Sequence, residues 1–134
     1  SKFMSSADNP KSNKQSVILI ADDDDLCLDV GVKMLQKLGY EVLDARDGKE
    51  TIEVFCDNKN EIDLVILDMK MPHNGSTTFD QLKKINADVR VLIASGYTED
   101  QRIREMKKQG CYGFIQKPFS IRTLSEQVTS ALNN

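Results

Sequence analysis

Ile62-Asp63-Leu64-Val65-Ile66-Leu67-Asp68-Met69-Lys70-Met71-Pro72 is a short apolar run that ends on one carboxylate before a Met-Pro loop. Its apolar side chains follow one another without alternation, the pattern of a parallel strand covered on both faces. An acid at the end of such a strand is costly unless it works. Asp68 therefore has two readings, a turn cap, which aspartates after strands often are, or a reactive carboxylate. The flanking chain decides between them.

Val17-Ile18-Leu19-Ile20-Ala21 repeats the pattern and runs into Asp22-Asp23-Asp24-Asp25. Asp24 or Asp25 is placed to N-cap a first helix, with Val30, Met34, Leu35 and Leu38 as its apolar stripe and Gly39 as its stop. Tyr40 to Ala45 predicts a second strand, Asp47-Gly48 a turn, and Ile52, Phe55 and Cys56 the stripe of a second helix. After the third strand, Asp63 to Leu67, the residues Phe79, Leu82 and Ile85 mark a third helix. Val89 to Ala94 forms a fourth strand ending at Ser95-Gly96. Thr98 with Gln101 resembles a capping box for a fourth helix, which carries Ile103 and Met106 and stops at Gly110. Tyr112 to Gln116 is a fifth strand, followed by Lys117-Pro118. Ser120 caps the last helix, where Ile121, Leu124, Val128 and Leu132 share a face.

Five strands thus alternate with five helices. That alternation predicts an α/β fold, a doubly wound five-stranded parallel sheet of strand order 2-1-3-4-5, flavodoxin-like (βα)5. Residues 1–15, rich in Ser, Lys and Asn, read as a flexible N-terminal extension or linker, and residues 16–134 as one folded domain. A length of 134 residues with 40% hydrophobic content fits one core.

The formal net charge of −3 gives no reason to expect nucleic acid as a direct partner. No run approaches the ~18 apolar residues of a membrane span. Cys27, Cys56 and Cys111 are odd in number and lack metal or disulfide spacing, so they read as reduced core residues of a cytoplasmic protein.

The polar residues at the expected strand C-termini collect on one edge: Asp22 and Asp23, Asp68, Ser95 and Lys117. With strands one and three as neighbours, three carboxylates converge, and they repel unless a cation or proton intervenes. Oxygen-only ligands suit Mg²⁺. Lys117 adds a fixed charge and Ser95 a hydroxyl donor, while Gly96 leaves space for a phosphoryl group. No Gly-rich phosphate loop points to a nucleoside triphosphate. The chemistry is that of a carboxylate nucleophile facing a phosphoryl donor.

Four stretches in order, Val17 to Asp23, Leu64 to Pro72, Val91 to Gly96 and Gly113 to Phe119, resemble the response-regulator receiver domain, the phosphoacceptor of two-component signalling. The resemblance covers residues 16 to about 132. It implies that Asp68 takes a phosphoryl group from a phosphohistidine, and that Asp23, Asp68 and the backbone carbonyl of Lys70 hold Mg²⁺, with Asp22 acting through a coordinated water. It further implies that Lys117 pairs with the carboxylate and then the phosphoryl group, before a cis bond to Pro118. Ser95 would bond a phosphoryl oxygen and Phe114 would be the aromatic switch residue, although simple core packing also accounts for Phe114.

The partners so implied are a histidine kinase or phosphotransfer domain, and a downstream protein on the face of helix four, strand five and helix five. Such a domain is not an enzyme, but assists its own phosphorylation and dephosphorylation. The run from Gly110 to Phe119 resembles receivers of hybrid histidine kinases. His73 reads as an exposed loop residue, so the donor histidine lies elsewhere.

Two features depart from the family pattern. The Pro72–Gly75 loop is one residue short, and Lys70, with Tyr97, is placed to tune dephosphorylation. The alternatives are a receiver-like adapter that takes no phosphate and a small aspartyl-phosphate phosphatase. The adapter would have lost an acid or the lysine, and the phosphatase would carry a second acid where Lys70 stands.

Overall fold

A computed structural model describes residues 15–68, 75–96 and 101–133. The chain order is β1 (Val17–Ala21), α1 (Asp25–Lys37), β2 (Glu41–Ala45), α2 (Gly48–Asn58), β3 (Ile62–Asp68), α3 (Gly75–Ile85), β4 (Val91–Ser95), α4 (Gln101–Lys108), β5 (Gly113–Gln116) and α5 (Ile121–Asn133). The strands form one sheet in the order β2-β1-β3-β4-β5, with every pairing parallel. This is the expected doubly wound α/β topology.

The apolar strands divide their side chains between two cores because successive residues point to opposite faces. Leu19, Ala21, Val65, Leu67, Val91 and Ile93 pack with Phe55 of α2, Phe79 and Leu82 of α3 and Met106 of α4. Ile18, Ile20, Leu64, Ile66, Leu92 and Ile115 pack with Leu28 and Leu35 of α1 and Leu124 and Val128 of α5. Each fully buried Leu, Ile or Phe contributes about 1.5–3 kcal/mol of transfer free energy. The sheet is therefore rigid at its centre, and its C-terminal edge inherits that rigidity.

Several expectations need correction. The buried face of α1 runs through Leu28, Gly31 and Leu35, whereas Val30 is 41% exposed and Met34 only partly buried. The reason is Gly31, whose missing side chain lets the helix settle on the sheet: a Cβ there would lie 2.6 Å from Ile20 Cδ1. Asp47-Gly48 is not a free turn but the start of α2, with Asp47 accepting from the Glu50 amide at 2.7 Å. The α2 stripe is Thr51 and Phe55, and Cys56 is exposed, as is Cys27, so only Cys111 is a buried cysteine.

Strand boundaries also shift by a residue or two. β2 begins at Glu41 because the Tyr40 amide turns back to Leu35 O at 3.1 Å, closing α1 through Gly39 at φ 98°. β4 and β5 begin at Val91 and Gly113, and β3 runs on to include Asp68. Residues 1–14, Met69 to Asn74 with Lys70 and His73, and Tyr97 to Asp100 with the Thr98 cap lie outside the described residues, as does the Ile103 side chain.

Candidate functional site

The C-terminal edge of the sheet gives each of the four consecutive aspartates a different task. The Asp22 amide extends the β1–β2 ladder by bonding Ala45 O at 3.1 Å. Its carboxylate, 4% exposed as a residue, accepts from the Asp24 amide at 2.9 Å. Asp23 is exposed. Asp24 is the N-cap of α1, accepting from the amides of Leu26 at 2.9 Å and Cys27 at 3.0 Å. Those bonds, that from Cys27 foremost, hold the Asp24 carboxyl below its ordinary value. Asp25, in the first turn, pairs with Arg46 Nε at 2.9 Å.

Asp68 ends β3 opposite Ala94 and is 1% exposed. Oxygens of Asp22, Asp23 and Asp68 all lie within 4.8 Å of one another. Ser95 ends β4, 2% exposed, and its carbonyl accepts from the Lys117 amide at 2.7 Å. That bond anchors the lysine just after β5, where its peptide bond to Pro118 is cis, as expected.

The Lys117 ammonium reaches back to Asp22 Oδ2 at 2.5 Å and Asp68 Oδ1 at 3.3 Å. Burial opposes its charge, but the bond to Asp22 and the charges of Asp68 and Asp22 win and raise its pKa above the lysine norm. Three carboxylates against one ammonium leave a negative excess that suits a divalent cation. Every carboxylate donor is a hard oxygen, and exposed Asp23 keeps one side open to water, the donor set that Mg²⁺ prefers.

An open cleft of about 900 Å³ lies over these groups, walled by Asp68, Lys117 and Gly96 on one side and by Leu26, Cys27 and Val30 of α1 on the other. Leu26 is 74% exposed. Burial, then the charges of Asp22, Asp24 and Asp68, push the Cys27 thiol up despite Lys117, so it stays protonated at neutral pH.

Phe114 pairs with Ile93 across β4 and β5 and is partly buried against the α2–α4 core. The strand alternation places Ser95 on the same face as Ile93. The structure thus brings together Asp22, Asp23, Asp68 and Lys117, and sets Ser95 and Phe114 on neighbouring strands. The Lys70 carbonyl lies outside the described residues. Sequence reasoning missed Arg46 and the apolar lip of Leu26 and Val30. An arginine after β2 carries no motif, and Val30 has the spacing of a core residue.

A five-stranded doubly wound sheet with an acidic cluster, a lysine and a buried serine at one edge defines a class of phosphate-handling signalling folds. The response regulator receiver domain model matches residues 18–129, and the chain belongs to that family. It is 34% identical over 118 residues to the sensor kinase CckA of Brucella abortus, covering 87% of this chain but only 12% of that kinase. It is 32% identical to sporulation initiation phosphotransferase F of Bacillus subtilis, covering 86% of this chain and 92% of that protein. Among solved structures it is similar to that of the CheX–CheY–BeF3–Mg²⁺ complex from Borrelia burgdorferi, at 25% identity and a TM-score of 0.85, covering 91% and 92% of the two chains.

The chain is accordingly a phosphoacceptor signalling module of two-component systems. Receiver domains act with histidine kinases or phosphotransfer partners and with downstream effectors, and they bind Mg²⁺ through acidic residues. No helix among the described residues is long and apolar enough to cross a membrane.

Proposed function

We infer that Asp68 is the phosphoacceptor of this module. The observation that carries this reading is its place in the site: a strand-end carboxylate in the cleft wall, 3.3 Å from Lys117 and clustered with Asp22 and Asp23. An Asp68 oxygen forms the new P–O bond as the P–N bond of a phosphohistidine breaks and the imidazole leaves. Lys117 and Ser95 donate to the phosphoryl oxygens, at a site whose donors need little rearrangement.

Asp22, Asp23 and Asp68, with the Lys70 carbonyl, would hold Mg²⁺, which when bound offsets negative charge on the phosphoryl oxygens. The same groups assist hydrolysis of the acyl phosphate by the domain itself. Once Asp68 is phosphorylated, Ser95 follows the phosphoryl group inward and Phe114 shifts towards full burial, which alters the α4–β5–α5 face for a downstream partner.

The donor is a histidine kinase or phosphotransfer domain in the cytoplasm, seated on the α1 lip of Leu26 and Val30. The likeness to CckA favours a receiver carried by a hybrid kinase. The test is incubation with a small-molecule phosphodonor and Mg²⁺, followed by intact-mass measurement. A phosphate-sized gain in wild type and none in Asp68→Asn is expected; no gain in wild type overturns the reading in favour of a phosphate-free adapter.

A further inference from the structure

Charge on the described surface is unevenly divided. The chain has a formal net charge of −3. Yet the last turns of α3 and α4 hold Lys83, Lys84, Lys107 and Lys108. Arg104, also exposed, adds a further cation one turn earlier on α4.

The two helix ends meet. Lys83 Nζ donates to Ala87 O at 2.8 Å and lies 2.7 Å from where a Cβ on Gly110, just past α4, would stand. Acidic side chains among the described residues here include Glu105, 3.6 Å from Lys108, and exposed Asp88.

Lysines in a last turn offset the helix dipole, and that alone accounts for one or two cations per helix. It does not account for Arg104 or for the pooling of two helix ends. Among the α4 side chains that are described, only Met106 is buried, so the helix is held from one side and turns its charges outward.

A long polyanion or an anionic membrane would also meet the rest of the chain, which must be more acidic than −3 implies. A short acidic segment avoids that repulsion. α4, at eight residues, spans about 12 Å, the reach of a few residues of extended peptide.

We propose that the joined ends of α3 and α4 form a docking surface for an acidic protein segment, with Lys84, Arg104, Lys107 and Lys108 as its contacts. This surface shares α4 with the output face inferred above and gives its partner a chemistry. It rests on that reading only for its role in signalling, since the contact itself needs no phosphate on Asp68.

The experiment measures fluorescence anisotropy of a labelled peptide of alternating glutamate and serine against the whole unphosphorylated chain, without phosphodonor or divalent ion. Saturable binding is expected, weakened about tenfold or more when Lys84, Arg104, Lys107 and Lys108 are all changed to Glu. The same reversal at Lys33, Lys37, Lys49 and Lys59 should leave most of the affinity. Replacement by Gln at the four proposed contacts gives the same direction if the Glu set fails to fold. Equal losses in the two sets, no peptide binding, or equally tight binding of a DNA duplex or of phosphatidylserine vesicles would overturn the proposal. Because phosphorylation plays no part, a negative result leaves the Asp68 reading standing.

Discussion

The Lys117 ammonium lies nearer to Asp22, at 2.5 Å, than to Asp68, at 3.3 Å, so one partly buried cation serves two buried carboxylates. Removing it leaves both acids without their shared charge. We expect Lys117→Met to destabilise the metal-free domain by about 3 kcal/mol, the scale of breaking a buried ion pair. Phosphorylation by a small donor should also slow sharply. Urea unfolding and intact-mass time courses measure the two effects. A variant that unfolds like wild type would mean that water, not Lys117, balances the cluster.

The same cluster sets a pH dependence. Lys117 has a folded pKa raised above the ordinary 10.5 because its bond to Asp22 and the two carboxylate charges outweigh the burial that would lower it. A raised folded pKa contributes stability that is complete below the unfolded value and is lost as pH rises through the folded one. The stability gap between wild type and Lys117→Met should therefore be flat from neutral pH upward and close only beyond 10.5. A gap that instead widens as pH rises towards 10.5 would show that burial had won.

β1, β3 and β4 were legible because both faces of the sheet are covered there, and such burial writes itself into the chain as a continuous apolar run. The site's edge was legible from topology alone, since parallel strands in this order bring Asp22, Asp23 and Asp68 together. What was not legible depends on three-dimensional fit. The four consecutive aspartates leave open whether Asp24 or Asp25 caps the helix, and nothing in them says that Asp22 turns inward to Lys117. Val30 looked like core because it is apolar and correctly spaced, but the contact face is set by Gly31, a residue with no hydrophobic signal.

The metal reading predicts opposite effects with and without the ion. Asp23 is exposed and belongs to a repelling cluster, so Asp23→Asn should leave the metal-free protein as stable as wild type or slightly more so. Wild type should gain stability with Mg²⁺, about 2.7 kcal/mol at a hundredfold excess over Kd, and Asp23→Asn much less. Thermal melts with magnesium and with chelator measure this. An equal magnesium response in both proteins would remove Asp23 from the ligand set.

Gly48 tests the packing that holds α2 against α3. A Cβ there would stand 2.5 Å from Thr78 Oγ1, and Thr78 is 2% exposed with little room to move. Gly to Ala inside a helix normally stabilises by up to about 1 kcal/mol. Here overpacking should reverse the sign, costing about 1–3 kcal/mol. Adding Thr78→Ala removes the obstructing hydroxyl and should recover part of the loss in a double-mutant cycle. Simple additivity would show that the helices separate without strain.

The apolar lip of the cleft separates docking from chemistry. Leu26 and Val30, 74% and 41% exposed, flank the cleft that Asp68 and Lys117 line, yet neither has a polar group to offer the reaction. Replacing both with Ser should alter stability by no more than about 0.5 kcal/mol per site, because neither is buried. A small-molecule donor needs no protein surface, so its reaction with Asp68 should be unchanged. Transfer from a phosphohistidine domain needs apolar contact around the cleft, and its rate at limiting donor should fall about tenfold or more. Measuring both donors on one preparation makes the result unambiguous. A loss with the small donor as well would place these residues in the chemistry, and no loss with either would move the donor's footprint away from α1.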